Sequence, residues 1–210
     1  MTQQQGFHDW YFGQRIHRDT FFNGVPVVKA VSDLWAYQEV IHNLQPKLMV
    51  ELGVFQGGFT LYLDMLNRML ELEAKILSVD LTLKQVAGKA RQLSSVEFLQ
   101  ASTLSPEVPE TILRLREELP GPMFLIVDDN HHAKHVRQEL DMLRGVTKKG
   151  DYVVVEDTNI SRQLRPKFGP GPAEALADYM KAHPGDYVRD TEMDGKFGFT
   201  FAPGGWLVRQ

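Results

Sequence analysis

The groups best suited to chemistry in this sequence are acids and histidines that directly follow two apolar runs. After the run Phe124 to Val127 come Asp128, Asp129, Asn130, His131 and His132. After the run Tyr152 to Val155 come Glu156 and Asp157. Ligands of an open α/β sheet bind beyond the carboxyl ends of its strands. Because the interval between the two runs has the length of one crossover helix, we expect the two acidic ends to converge.

Carboxylates at neighbouring strand ends predict a metal site made of oxygen ligands. Asp128, Glu156 and Asp157 would suit Mg²⁺, or Mn²⁺, with waters or substrate oxygens completing the coordination. A rival interpretation is a site built on His131 and His135, whose spacing places both on one helical face and can bind zinc or, with a carboxylate, Fe(II). Outside that interpretation, His132 and His135 are expected to be solvated or helix-capping residues.

A glycine-rich turn lies between the first strand of an alternating pattern and its helix. Its glycines, Gly53, Gly57 and Gly58, would let the backbone approach a ligand closely, and the helix after them would present unpaired N–H groups. The dinucleotide fingerprint requires a second glycine at the position that Phe55 occupies, so NAD binding is disfavoured. Gly57 and Gly58 also suit tight packing of the helix on the sheet.

The acids near this turn favour S-adenosylmethionine as the cofactor. Glu51 precedes the first glycine and would lie near the ammonium group of the cofactor's amino acid end. Asp80 ends the second strand, where an acid typically accepts hydrogen bonds from ribose hydroxyls. Ser102, just beyond the third strand, is a candidate neighbour of the adenine. Asp128 is expected to border the cofactor as well as the metal.

Composition places the chain among ordinary globular proteins. It has 210 residues, of which 43% are hydrophobic and 24% charged, with a formal net charge of -4. Lys and Arg are scattered, so nucleic acid is not expected as a partner. The absence of cysteine excludes disulfides and a cysteine nucleophile. With no secretory leader and no apolar run of membrane-spanning length, we expect a cytoplasmic protein that does not associate with membranes.

The order of the expected elements predicts one α/β domain over residues 1–210. Strands are expected at Leu48 to Leu52, Ile76 to Leu81, Val96 to Ala101, Met123 to Val127 and Tyr152 to Val155. Helices are expected at Phe59 to Leu72, around Leu83 to Leu93, around Pro109 to Glu118, from about Ala133 to Leu143 and at Pro172 to His183. Such alternation predicts a mostly parallel sheet with helices on both faces. Strands without intervening helices are also expected at Tyr187 to Arg189 and in the stretch Phe197 to Val208, where Pro203-Gly204-Gly205 lies between apolar runs, and they predict an antiparallel C-terminal edge.

Residues 1–45 are expected to form an aromatic-rich cap or an oligomerisation segment. Five aromatic residues precede the turn signal Asn23-Gly24: Trp10, Tyr11, Phe12, Phe21 and Phe22. They could cover an apolar flank or a subunit interface, or form a lid over a substrate pocket. Ser32 is expected to cap the following helix, which ends before Pro46. Because this segment and the edge-strand tail would otherwise expose apolar surface, we expect a homo-oligomer.

The sequence as a whole resembles the cephalosporin hydroxylase and rhamnosyl O-methyltransferase family. Besides the glycine turn and both acidic strand ends, the resemblance runs through Gly24 to Val27, Asp33 to Glu39, Phe168 to Pro172 and Gly204 to Leu207. The acidic ends combined with Phe168 to Pro172 are its most specific part. The resemblance implies a Rossmann-like class I methyltransferase fold that uses S-adenosylmethionine and Mg²⁺.

The resemblance also assigns roles to individual residues. In related macrolide-sugar and catechol O-methyltransferases, one acid at the fourth strand end and two residues at the fifth hold the metal. These positions correspond to Asp128, Glu156 and Asp157. The histidine three residues after the first ligand, the base in the sugar enzymes, corresponds to His131. This histidine could instead cap the helix or hydrogen-bond a metal ligand.

Two departures from the family pattern bear on these roles. The family often has an acid directly before the histidine, whereas this chain has Asn130 there and an extra acid, Asp129, before it. Which of Asp128, Asp129 and Asn130 faces the metal is therefore open. The loop Ile160 to Lys167 also differs from the commoner family sequence, and this loop bears on the choice of acceptor.

The implied activity is Mg²⁺-dependent transfer of a methyl group to a hydroxyl of a small molecule, such as a sugar in natural-product or glycolipid tailoring. Two alternatives stay open at this point. One is a non-haem iron hydroxylase, which would depend on Fe(II) and oxygen. The other is a partner subunit that binds S-adenosylmethionine without turnover.

Overall fold

The computed structural model describes residues 3–160 and 169–210, with side chains described from residue 6 onward. Phe168 and residues 161–167, which the family resemblance singled out, lie outside the described residues. Among the described residues, none of the helices combines the length and the apolar composition that a membrane span needs.

A seven-stranded sheet forms the centre of the fold. The strands of the described chain are β1 (Phe21–Phe22), β2 (Val25–Pro26), β3 (Leu48–Leu52), β4 (Lys75–Asp80), β5 (Val96–Gln100), β6 (Met123–Val127), β7 (Tyr152–Val155), β8 (Tyr187–Arg189) and β9 (Trp206–Arg209). The central sheet has the order β5-β4-β3-β6-β7-β9-β8. Strands β3 to β7 run parallel, and β9 pairs antiparallel with both β7 and β8. This arrangement confirms the predicted mostly parallel sheet with an antiparallel C-terminal end.

Helices cover both faces of this sheet. They are α1 (Gln3–Gly13), α2 (Val31–Leu44), α3 (Gly58–Met69), α4 (Gly88–Arg91), α5 (Glu107–Glu118), α6 (Ala133–Leu143), α7 (Pro172–Ala182) and α8 (Thr191–Gly195), with a 3-10 helix at Ile16–Asp19. One core packs α5, α6 and α7 against the sheet, and the other packs α2 and α3 on the opposite face. Within β3, Leu48 and Val50 belong to the first core and Met49 to the second, as the alternation of side chains along a strand requires.

The sheet register brings the acidic strand ends together. Val127, the last residue of β6, pairs with Leu52 of β3 on one side and with Val155 of β7 on the other. The residues that follow these strands therefore emerge side by side at one edge of the sheet. This is the convergence that the two apolar runs predicted.

Three local predictions were wrong. The helix expected around Leu83 to Leu93 is only the short α4, because Val86 of the preceding segment and Ala90 of α4 itself pack against the glycine turn at Gly57. The strand expected from Phe197 begins only at Trp206, because Gly204 turns the chain with a φ of 73° and its N–H bonds Asp194 in the unforeseen helix α8.

The third error concerns the start of α2. Ala30 is the N-cap residue and no side chain caps this helix end. The buried Ser32 hydroxyl, predicted as the cap, lies inside the first turn and has no hydrogen-bond partner within the described part of the chain. The Asn23-Gly24 turn was predicted correctly. Both residues have positive φ, 47° and 75°, between strands β1 and β2, as a two-residue hairpin turn requires.

Candidate active site

A cavity of about 880 Å³ lies at the carboxyl ends of the parallel strands. Most of the predicted site residues line it: Glu51, Gly53, Asp80, Ser102, Asp128, His131 and Asp157. Gly57, Gly58 and Glu156 were also predicted but do not line it. The cavity has a volume typical of small-molecule sites, and it joins the glycine turn to the acidic strand ends.

The glycines of the turn are required by close backbone contacts. A side chain at Gly53, whose φ is 98°, would place its Cβ 2.2 Å from the carbonyl oxygen of Asp128. A Cβ at Gly58 would lie 2.1 Å from the carbonyl oxygen of Pro26. In the described structure, Gly53 borders the cavity, while Gly57 and Gly58 allow α3 to pack closely against its neighbours. The packing interpretation therefore accounts for Gly57 and Gly58.

Asp80 supports the turn through its carboxylate. Its Oδ2 accepts hydrogen bonds from the backbone N–H groups of Val54 (2.9 Å) and Phe55 (3.0 Å), and its Oδ1 accepts one from Thr82 N–H (3.0 Å). Asp80 also lines the cavity. The sequence predicted its place beside a ligand but not this bracing of the turn.

Glu51 is almost fully buried beneath the same turn. Its Oε2 accepts hydrogen bonds from the hydroxyls of Thr60 (2.6 Å) and Ser78 (2.7 Å). Burial raises the pKa of Glu51 to about 7, against the lowering effect of these two hydrogen bonds. A cationic ligand group beside it would stabilise the ionised carboxylate.

The first acidic cluster combines Asp128, His131 and Asp157. Their ligand atoms all lie within 4.8 Å of one another, and His131 Nε2 is 3.2 Å from Asp157 Oδ2. Asp157 has a φ of 57°, a left-handed backbone conformation that is uncommon for residues other than glycine. Desolvation at this site and the charges of Asp128 and Glu156 raise the pKa of Asp157 well above its usual value. A negative charge on Asp157 is therefore unfavourable unless a cation lies beside it.

Glu156 lies behind this cluster, where Lys29 and Tyr37 hold it. The Lys29 ammonium lies 2.9 Å from Glu156 Oε1 and also bonds Asp128, while the Tyr37 hydroxyl donates to Glu156. Burial alone would lower the pKa of Lys29, but the two carboxylates outweigh it and raise the pKa. Only 2% of Lys29 is exposed. This lysine was not predicted from the sequence, and the role of Glu156 as a metal ligand stays a prediction.

The donor chemistry of this cluster fits a hard divalent cation. Asp128 and Asp157 offer carboxylate oxygens, which Mg²⁺ and Mn²⁺ prefer. In the described structure, Lys29 contacts Asp128 and Glu156, and its single charge does not balance these two carboxylates together with an ionised Asp157. A divalent ion would neutralise the excess negative charge.

Asp129 does not join Asp128 but belongs to a second cluster. Asp129, His135 and Glu139 have ligand atoms within 4.8 Å of one another. His131 and His135 therefore belong to different clusters, because α6 begins only at Ala133 and His131 lies in the loop before it. The proposed His131–His135 pair and the expectation that His135 is solvated or capping were both wrong.

The N-terminal segment reaches the cavity. Phe12, His17 and Arg18 contribute to its lining, while Tyr11 is buried against Phe199 and Phe201. Of the early aromatic residues, Tyr11 covers an apolar flank and Phe12 lines the cavity, whereas Trp10 and Phe21 are exposed. The role of residues 1–45 as a cap or an oligomerisation segment stays a prediction.

Relatives of known class match nearly the whole chain. Residues 14–210 match the family model described as rhamnosyl O-methyltransferase/CmcI. The chain is 41% identical over 204 residues to a rhamnosyl O-methyltransferase of Mycobacterium bovis, covering 97% of this chain and 83% of the relative. It is 38% identical over 205 residues to a rhamnosyl O-methyltransferase of Mycobacterium leprae, covering 97% of this chain and 89% of the relative.

Solved structures share the fold at lower identity. A structure described as cmcI-D160 Mg-SAM has a TM-score of 0.71 and 18% identity, covering 92% of this chain and 77% of its own. An O-methyltransferase from Bacillus cereus, solved with SAH, has a TM-score of 0.57 and 12% identity, covering 86% of this chain and 82% of its own. These structures confirm the predicted methyltransferase fold. The resemblance seen in the sequence is confirmed as well, and the chain belongs to the rhamnosyl O-methyltransferase/CmcI family.

Proposed function

We propose that this chain is a Mg²⁺-dependent O-methyltransferase that transfers the methyl group of S-adenosylmethionine to a hydroxyl of a sugar-bearing small molecule. The observation that carries the proposal is that one cavity joins the glycine turn to the cluster Asp128, His131 and Asp157. The names of the Mycobacterium relatives support a rhamnosyl acceptor or a similar deoxysugar. A step in natural-product or glycolipid tailoring is the context that this acceptor class suits.

Chain residues at the glycine turn would hold the cofactor. The backbone at Gly53 allows close approach, and Glu51 provides a buried carboxylate for the ammonium group of the amino acid end. Asp80 would accept from the ribose hydroxyls while keeping its bonds to the turn. Ser102 lies at the cavity wall, where we place the adenine. The sulfonium methyl group supplied by the bound cofactor is the group transferred.

Asp128 and Asp157 would hold the metal, with Glu156 as the third candidate ligand. When bound, Mg²⁺ supplies a positive charge that orients the acceptor hydroxyl and lowers its pKa. His131 would take the hydroxyl proton on Nε2, the atom that faces Asp157 at 3.2 Å. The neighbouring carboxylate of Asp157 would then stabilise the imidazolium that forms.

The remaining parts of the proposal concern the environment of the site. We place residues 1–210 in one domain, with residues 1–45 as an aromatic-rich cap or an oligomerisation segment. In the described chain, the exposed aromatic residues Trp10, Phe21 and Trp35 support a homo-oligomer. We place the enzyme in the cytoplasm, where S-adenosylmethionine is made.

Product analysis tests the activity. The purified chain is incubated with S-adenosylmethionine and a rhamnosylated phenol, with Mg²⁺ or with chelator, and a methylated sugar is sought by mass spectrometry. We expect a mass gain of one methyl group with Mg²⁺, and its loss with chelator or with Asp157→Asn. A hydroxylated product formed only with Fe(II) and oxygen would favour the iron hydroxylase instead. Binding of S-adenosylmethionine without turnover would favour the partner subunit.

A further inference from the structure

The second cluster has the shape of a cation site of its own. His135 Nε2 faces three oxygen atoms: Asp129 Oδ2 at 3.2 Å, Glu139 Oε1 at 3.5 Å and the Thr103 hydroxyl at 3.0 Å. Ligands of a tetrahedral zinc ion, bound at about 2.0–2.1 Å, lie about 3.3–3.4 Å apart. The separations from His135 to both carboxylates therefore match the edges of such a coordination shell.

Glu139 provides an independent sign of a missing partner. The residue is fully buried at 0% exposure, and among the residues that the structure describes none donates a hydrogen bond to either carboxylate oxygen. Burying a carboxylate without hydrogen bonds is costly unless it is neutralised or coordinates a metal. Of the two carboxylate oxygens of Glu139, Oε1 faces His135 Nε2. The carboxylate is therefore directed into the cluster.

The other residues of the cluster give it orientation and access. The Thr103 hydroxyl donates to Asp129 Oδ2 at 2.6 Å, which fixes that carboxylate beside His135. Thr103, Asp129 and His135 all line the cavity, whereas Glu139 lies at the back of the cluster. An ion can enter from the cavity, and a fourth coordination position would face it.

We propose that Asp129, His135 and Glu139 form a second metal site, selective for zinc-like transition metals over Mg²⁺. One imidazole and two carboxylates are ligands that Zn²⁺ and Co²⁺ accept, whereas Mg²⁺ favours oxygen ligands and keeps several waters. The site ties the end of β6 to helix α6. It is separate from the Asp128, His131 and Asp157 cluster and does not depend on the methyltransferase activity.

Metal stoichiometry tests the proposal. Metal-free protein is dialysed against micromolar Co²⁺ in the presence of millimolar Mg²⁺, and bound Co²⁺ is counted by plasma mass spectrometry. The visible absorption spectrum then reports whether the bound Co²⁺ has nitrogen and oxygen ligands and a low coordination number. We expect one bound Co²⁺ per chain, displaced by Zn²⁺. Glu139→Gln, which keeps the size of the side chain, and His135→Asn should each abolish it.

Two control variants define what each outcome means. Asp157→Asn, in the first cluster, and His132→Gln, a neighbouring histidine outside both clusters, should keep the bound Co²⁺. If Glu139→Gln and His135→Asn both retain it, the ion lies elsewhere and the proposal is wrong. It is equally wrong if the wild-type protein binds no Co²⁺, because Glu139 would then be a neutral acid packed against His135. Circular dichroism confirms that each variant is folded.

Discussion

Replacement of Lys29 by methionine gives the sharpest test of how the acidic strand ends are stabilised. Methionine keeps much of the aliphatic length of the side chain, but it removes the ammonium group, whose nitrogen lies 4.8 Å from the centroid of the Phe59 ring. Glu156 is only 2% exposed and would retain one partner, the Tyr37 hydroxyl, among the contacts described above. The variant therefore isolates the charge from the packing.

The expected loss follows from burial. Removing one member of a buried ion pair typically costs about 3–5 kcal/mol, because the remaining charge is left uncompensated. Both partners here are nearly fully buried, so we expect the free energy of unfolding to fall by about that amount in chelator. Urea unfolding, followed by circular dichroism, measures it. Lys196→Met is the matched control, since Lys196 pairs with Glu39 at the surface and should change stability by under about 1 kcal/mol.

Divalent cations should partly replace the missing charge. Without Lys29, the acids at this point carry one more uncompensated negative charge, so Mg²⁺ should bind the folded variant more tightly than it binds the wild type. Because a ligand of the folded state stabilises in proportion to the logarithm of its concentration over its Kd, Mg²⁺ should raise the midpoint of Lys29→Met more than that of the wild type. A variant as stable as the wild type in chelator would refute the reasoning, and so would equal responses to Mg²⁺.

Four further outcomes can be checked. His131→Ala should lower kcat by about 10²–10⁴ with unchanged affinity for S-adenosylmethionine, and loss of Mg²⁺ binding instead would make His131 a ligand. Gly58→Ala should cost about 1–3 kcal/mol in urea unfolding through overlap with a backbone carbonyl, whereas Gly88→Ala, with open space, should not. Asp80→Ala should weaken S-adenosylmethionine binding at least tenfold in calorimetry, and unchanged affinity would remove it from the cofactor site. Burial raises the pKa of Asp186, but hydrogen bonds from two arginines and a tyrosine outweigh it and lower the pKa to about 2. Its stabilising effect is therefore present above about pH 4 and lost as the pH falls toward 2. Asp186→Asn should remove this pH dependence. The contribution that is lost to the free energy of unfolding, measured by acid unfolding, should be no more than about 2 kcal/mol.

The sequence predicted the sheet because its strands are buried on both faces. Continuous apolar runs such as Phe124 to Val127 can be accommodated in few other ways, and the helices between them fix the parallel order. Placement of the acids followed directly, since parallel strands end at the same edge. The glycine turn was also predicted from the sequence, because glycines after a strand indicate a close backbone approach. In the structure, the backbone that approaches Gly53 is the carbonyl of Asp128, and a side chain at Gly53 would exclude this contact.

Lys29 could not be predicted in the same way, because its burial is set by contacts distant in sequence. It lies before α2 in a segment without periodicity, where Val28 has a φ of 55°, an outlier for a β-branched residue. Its partners Asp128 and Glu156 are about a hundred or more positions away, a separation that no local pattern records. The only signal in the sequence is a lone cation among apolar residues, and such lysines are normally exposed.

The failure at His135 has a different origin, which also explains why two clusters exist. Side chains of consecutive residues at a strand end point to opposite sides, so Asp128 and Asp129 separate toward different neighbours. Asp128 meets Asp157 from the adjacent strand and His131 from the loop, whereas Asp129 meets His135 after α6 has begun. Helical spacing relates His135 to Glu139, four residues later on the same face, and not to His131, which precedes the helix. The extra acid that departs from the family pattern is thus the residue that completes the second cluster.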